Sequence, residues 1–77
     1  MNESKLYTFP DDFTSFDVAR RLAEFRRSFG YTGPVKVIIP VEKEYRLRGL
    51  KYDFFAMQGV DIEIGLVAPN EISIEKL

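Results

Sequence analysis

Between Asp61 and Val67 the chain alternates: Ile62, Ile64 and Leu66 fall on one face of an extended segment, Asp61, Glu63 and Gly65 on the other. Side chains of a strand point to its two faces in turn, so this segment offers one face to a core and one to water. Ile72-Ser73-Ile74-Glu75 repeats the pattern, with Ser73 facing away from Ile72 and Ile74. A sheet covered on both sides needs nearly continuous apolar strands. These segments therefore call for a sheet with one covered face, and hence two layers.

The covering layer begins near Phe13. Thr14 stands as an N-cap with Asp17 three residues on, and Phe13 and Val18 are placed as a hydrophobic staple. Val18, Leu22, Phe25 and Phe29 then recur at helical spacing, and Gly30 follows as a left-handed cap. A short β-prone run, Leu6–Phe9, precedes this helix and stops at Pro10, with a turn at Asp11 and Asp12. After the loop Tyr31-Thr32-Gly33-Pro34 comes the clearest strand, Val35–Ile39, closed by Pro40. The stretch from Glu42 to Gln58 has two readings. Tyr45 to Leu50 alternates like a strand, whereas Leu47, Leu50, Phe54 and Met57 form one face of a helix capped by Gly59. The helix is preferred, because Gly49 is the only break before Gly59 and costs a helix roughly 1 kcal/mol. Ala68-Pro69-Asn70-Glu71 has Pro and Asn in central turn positions and predicts a terminal hairpin.

The resulting order is βαβαββ. It defines an α/β chain of the α+β two-layer sandwich type, with a mixed four-stranded sheet and two helices on one face. Helical crossovers imply parallel pairing, and the hairpin adds one antiparallel strand. With 77 residues there is room for one core, so residues 1–77 are expected to form a single small globular domain. This element order is similar to that of several small two-layer domains, including Alba-type chromatin proteins, the C-terminal domain of the third bacterial translation initiation factor, and sulfur-carrier proteins of tRNA thiolation. The carriers need a cysteine, which this chain lacks, and Alba-type proteins are strongly basic, which it is not.

Chemistry is constrained by what is missing. Without His or Cys, the commonest general base, the commonest metal ligand and the best nucleophile are absent together. The serines at 4, 15, 28 and 73 lie in no nucleophile elbow. Asp11, Asp12 and Asp17 read as a turn and a helix N-terminus, and Asp61 with Glu63 as a soluble sheet surface. Gly30-Tyr31-Thr32-Gly33 matches the Gly-x-x-Gly of a KH-type clamp, but a strand follows where the clamp needs a helix, so it reads as a cap and a turn. No catalytic residue, metal, cofactor or small-molecule site is expected, and the chain is read as a non-enzyme. A cysteine-free chain fits a reducing compartment. No basic leader or apolar span stands out, and the expected location is cytoplasmic without membrane contact.

Charge is unevenly placed. Residues 18–52 carry nine bases and three acids, while acids dominate both flanks of a chain whose net charge is -1. The basic stretch holds Arg20, Arg21, Arg26, Arg27, Lys43, Arg46, Arg48 and Lys51, with Tyr45 and Tyr52 interleaved. Arginine suits bidentate contacts and interfaces. One reading is a solvated helical face. The functional reading is a noncatalytic domain that binds a protein, including a second copy of itself, through this basic face. The alternative is nucleic acid, which the acidic flanks and a pI near 5.4 disfavour. For a homodimer the expected contacts are Phe16 on the first helix, or Tyr7 and Ile38 on an open sheet face near Asp61 and Glu63. The last strand is the expected free edge.

Overall fold

The computed structural model describes residues 3–43, 55 and 58–77. Strand β1 (Ser4–Thr8) leads into helix α1 (Ser15–Phe29), strand β2 (Val35–Pro40), a 3-10 turn at Val41–Lys43, and strands β3 (Val60–Gly65) and β4 (Glu71–Lys76). The second helix expected over residues 42–58 lies, beyond that turn, largely outside the described residues. At its expected end Gly59 has the positive φ of 73° that a left-handed cap requires, and Phe55 is buried in the core.

Helix α1 forms where local chemistry demands it. The Asp17 carboxylate accepts the Thr14 backbone N–H at 2.7 Å and the Thr14 hydroxyl at 3.3 Å. Phe13 and Val18 are both buried, completing the staple. At the far end Gly30 takes φ 57°, and the Tyr31 N–H closes the last turn on the Arg26 carbonyl at 3.0 Å. Val18, Leu22 and Phe25 are buried, and Phe29 packs against Phe25 with ring centroids 4.6 Å apart.

The sheet is mixed and four-stranded, in the order β1-β4-β2-β3. The terminal hairpin does not form. Strand β4 pairs antiparallel with β1, setting Ile72 against Tyr7, and antiparallel with β2, setting Ile74 against Val37. Strand β3 lies on the other side of β2, parallel to it. The turn itself forms as its residues require, the Glu71 N–H donating to the Ala68 carbonyl at 3.0 Å. The chain nevertheless carries β4 past β2 to its far side. Burial explains the exchange: Ile72 and Ile74 are fully buried at 0%, whereas Ile64 is 48% exposed and Leu66, just beyond β3, is 107% exposed. An interior seat buries both isoleucines between neighbours on two sides, and the edge goes to the strand whose apolar face fades toward its end.

One face of the sheet carries Tyr7, Val35, Val37, Ile39, Val60, Ile72 and Ile74 toward α1, and Phe9, Phe13 and Phe55 complete the core. On the other face the register aligns Leu6, Ser73, Ile38 and Glu63. There Lys36 lies between Glu63 at 3.7 Å and Glu75 at 3.6 Å. Among the described residues no helix is long and apolar enough to cross a membrane.

Candidate functional site

Because α1 packs against β4, its flank toward β1 is left as the wall of an open depression of about 510 Å³. Phe9 and Pro10, just past β1, form one side. Asp17, Arg20, Arg21, Ala23, Glu24 and Arg27 of α1 form the other. The charges alternate along this wall. Arg21 donates to the Glu24 carboxylate at 2.8 Å, and Arg20 lies 3.8 Å from the Asp17 carboxylate. Arg20 is 79% exposed at its side chain, and Arg27 is exposed as well.

Beneath the wall, the Arg21 guanidinium sits over the Tyr7 and Phe9 rings, 5.5 and 5.8 Å from their centroids, and the Lys5 ammonium is 5.3 Å from the Tyr7 centroid. The buried Tyr7 hydroxyl has no hydrogen-bond partner among the described residues. Burial raises the Tyr7 phenol above its ordinary pKa, the Glu24 carboxylate adds to the rise, and Arg21 offsets part of it. Glu24 moves the other way. The hydrogen bond from Arg21 holds its carboxyl below the usual range despite some desolvation, with Arg21, Lys5 and Arg27 adding favourable charge.

The residues singled out in the sequence are thus distributed unequally. Arg20, Arg21 and Arg27 come together on the depression. Arg26 points elsewhere: its guanidinium donates to the carbonyls of Gly33 at 2.6 Å, Gln58 at 3.2 Å and Tyr31 at 3.4 Å, tying the end of α1 to the loop and to the entry of β3. Lys43 closes the 3-10 turn. Arg46, Arg48, Lys51, Tyr45 and Tyr52 lie outside the described residues. Phe16 is 71% exposed on the first turn of α1. Ile38 is on the open sheet face, half-buried, and leans across Gly65, where any side chain would collide with its Cγ2. Tyr7 is not on that face; its register with Ile72 turns it toward the helix, because odd positions of β1 share the side of the buried isoleucines.

The Gly-x-x-Gly stretch has a structural account. Gly30 supplies the cap, and a Cβ at Gly33 would meet the Tyr31 ring at 2.7 to 2.9 Å. The Tyr31 hydroxyl donates to the Pro34 carbonyl at 2.8 Å. Of the carboxylate groups, Asp17 caps α1, while Asp61 and Glu63 stand on the open face of β3. Among the described residues no three acidic, His or Cys side chains gather as a metal site.

The sequence reading missed Asp17 and Glu24 as parts of this surface, although their spacing of three from Arg20 and Arg21 was a usable sign of ion pairing along one flank. Comparison with known proteins finds no matching family model, no matching curated protein and no matching solved structure.

Proposed function

We propose that this chain is a noncatalytic binding domain whose working surface is the flank of α1 beside β1, and that its partner is a polypeptide. One observation carries the reading: the depression joins an apolar side, Phe9 and Pro10, to a wall on which arginines alternate with carboxylates. A polyanion would meet Asp17 and Glu24 as well as the arginines, whereas a polypeptide bearing both signs of charge finds complementary groups for each. Arg26, committed to three carbonyls, adds little to a phosphate-binding stripe. The open, shallow form of the depression suits a protein surface better than a small ligand, which needs most of its own area enclosed.

The test is retention of a protein partner by the tagged chain in an extract of its native host, compared with Arg27→Glu. A partner retained by the wild type and lost with Arg27→Glu is expected. Tight binding of mixed oligonucleotides at physiological salt, with a steep salt dependence that Arg20→Ala/Arg27→Ala flattens, would replace this reading with nucleic-acid association.

A further inference from the structure

Resting on the reading of the α1–β1 flank as an interaction surface, we infer that the partner it fits is a second copy of the chain, joined by antiparallel pairing of β1 with β1 about a two-fold axis at Leu6.

The backbone supplies the first part. The Lys76 N–H donates to the Glu3 carbonyl at 2.9 Å and the Phe9 N–H to the Asn70 carbonyl at 2.8 Å. With the register between them, these bonds commit the odd residues of β1 to β4. The N–H and C=O groups of Ser4, Leu6 and Thr8 therefore point away from the sheet, along an edge that no other described strand covers. Placed about Leu6, a second β1 exchanges bonds between Leu6 and Leu6 and between Ser4 and Thr8. On the open face the exposed Leu6 side chains meet each other. On the helix side Lys5 of each copy stands opposite Tyr7 of the other, at the close spacing of a non-hydrogen-bonded pair. That brings an ammonium donor toward a tyrosine whose hydroxyl has no hydrogen-bond partner among the described residues. A slip of two residues in one direction would set Lys5 against Lys5, so charge disfavours that register, while a slip in the other direction would set Tyr7 against Tyr7 and lose the Lys5–Tyr7 pairs.

Helix α1 supplies the second, independent part. Laid antiparallel to its copy, its flank is self-complementary about Leu22: Asp17 faces Arg27 of the second copy, and Arg20 faces Glu24 of the second copy. Opposite charges meet at each of these positions. The two patterns also share one axis, since Arg21, adjacent to the centre of the helix pattern, lies over Tyr7, adjacent to the centre of the strand register. With α1 packed on β4, the two helices stand three strand spacings apart, about 14 Å, a gap that arginine and glutamate side chains span. A contact between the basic helix and the acidic sheet face of another copy joins unlike faces on opposite sides of the domain, so it cannot close as a two-fold pair.

The experiment is sedimentation of the intact chain at high micromolar concentration, with three variants. Leu6→Pro removes an outward-pointing N–H together with the exposed Leu6 side chain, both of which an edge strand can lose without losing its fold, and is expected to be a folded monomer. Arg20→Glu and Glu24→Arg each create two like-charge contacts in the dimer and are expected to weaken it about tenfold. Mixing those two variants restores opposite charges at every contact and is expected to recover the dimer, a result that damage to the fold would not produce. A monomeric wild type overturns the inference, as does a dimer that survives Leu6→Pro in a folded chain or a mixture no tighter than its components. If the wild type is monomeric and yet retains another protein through Arg27, the dimer alone fails; if it retains none, the binding reading fails with it.

Discussion

Replacing Arg26 tests whether a residue that the sequence places on a basic surface serves the fold instead. Its guanidinium fork donates to three carbonyls on two segments: Gly33 at 2.6 Å and Tyr31 at 3.4 Å in the loop after α1, and Gln58 at 3.2 Å at the entry of β3. Hydrogen bonds from a charged donor contribute about 1.5 to 3 kcal/mol when well shielded. These are partly exposed, so the short bond to Gly33 is assigned about 1 kcal/mol and the other two together about the same. Arg26→Met, which keeps most of the apolar stem, should then cost about 2 kcal/mol. A 77-residue domain has a total stability of about 4 to 12 kcal/mol, so this is a substantial share. The melting temperature should fall by roughly 10 °C, at about 4 to 8 °C per kcal/mol for this size. Arg26→Lys should recover less than half of that loss, because an ammonium at the end of a flexible stem cannot serve three carbonyls as a planar fork does. Thermal and urea unfolding followed by circular dichroism measure both. A shift below about 2 °C for Arg26→Met, accompanied by loss of association, would refute the argument and return Arg26 to the binding surface.

Two further outcomes follow from the same structure. The Tyr7 pKa is raised in the fold, so the unfolded chain ionises first, at about pH 10; stability should be intact below that pH and fall as pH rises through the folded pKa. Tyr7→Phe should flatten this alkaline loss in urea midpoints taken from about pH 9 to 11, and a curve parallel to the wild type would contradict the assignment. Gly30→Ala meets no atom within 4 Å of the added Cβ, so its cost is purely that of a left-handed backbone at φ 57°, about 1 to 2 kcal/mol. Gly30→Asn should lose less, and equal melting temperatures for the two variants would count against that account.

The candidate site was only partly legible in the chain. Arg20, Arg21 and Arg27 stand out as basic residues on a helix, but nothing local says that Phe9 and Pro10 face them across a depression. That follows from α1 lying on β4 and leaving its β1 flank open. Arg26 has the same side chain as Arg27 and adjoins it in sequence, yet one is tied to three carbonyls and the other is exposed. A rotation of 100° about the helix separates a clamp from a contact residue, and what each meets there is decided by segments distant in the chain.

By itself the sequence determined helix α1, its capped ends, the two-faced strands and therefore the single covered face of the sheet. Each of those signals couples residues no more than a few positions apart: Thr14 with Asp17, Phe13 with Val18, Leu22 with Phe25, Ile72 with Ile74. Tertiary structure alone decided which strands are neighbours. The Ala68–Glu71 turn closed as its residues require, and still β3 and β4 were parted by β2. Strand pairing is made by backbone groups that are the same at every residue, so no side-chain pattern announces it. The choice falls to the arrangement that hides Ile72 and Ile74 completely and leaves the fading apolar face of β3 at the edge.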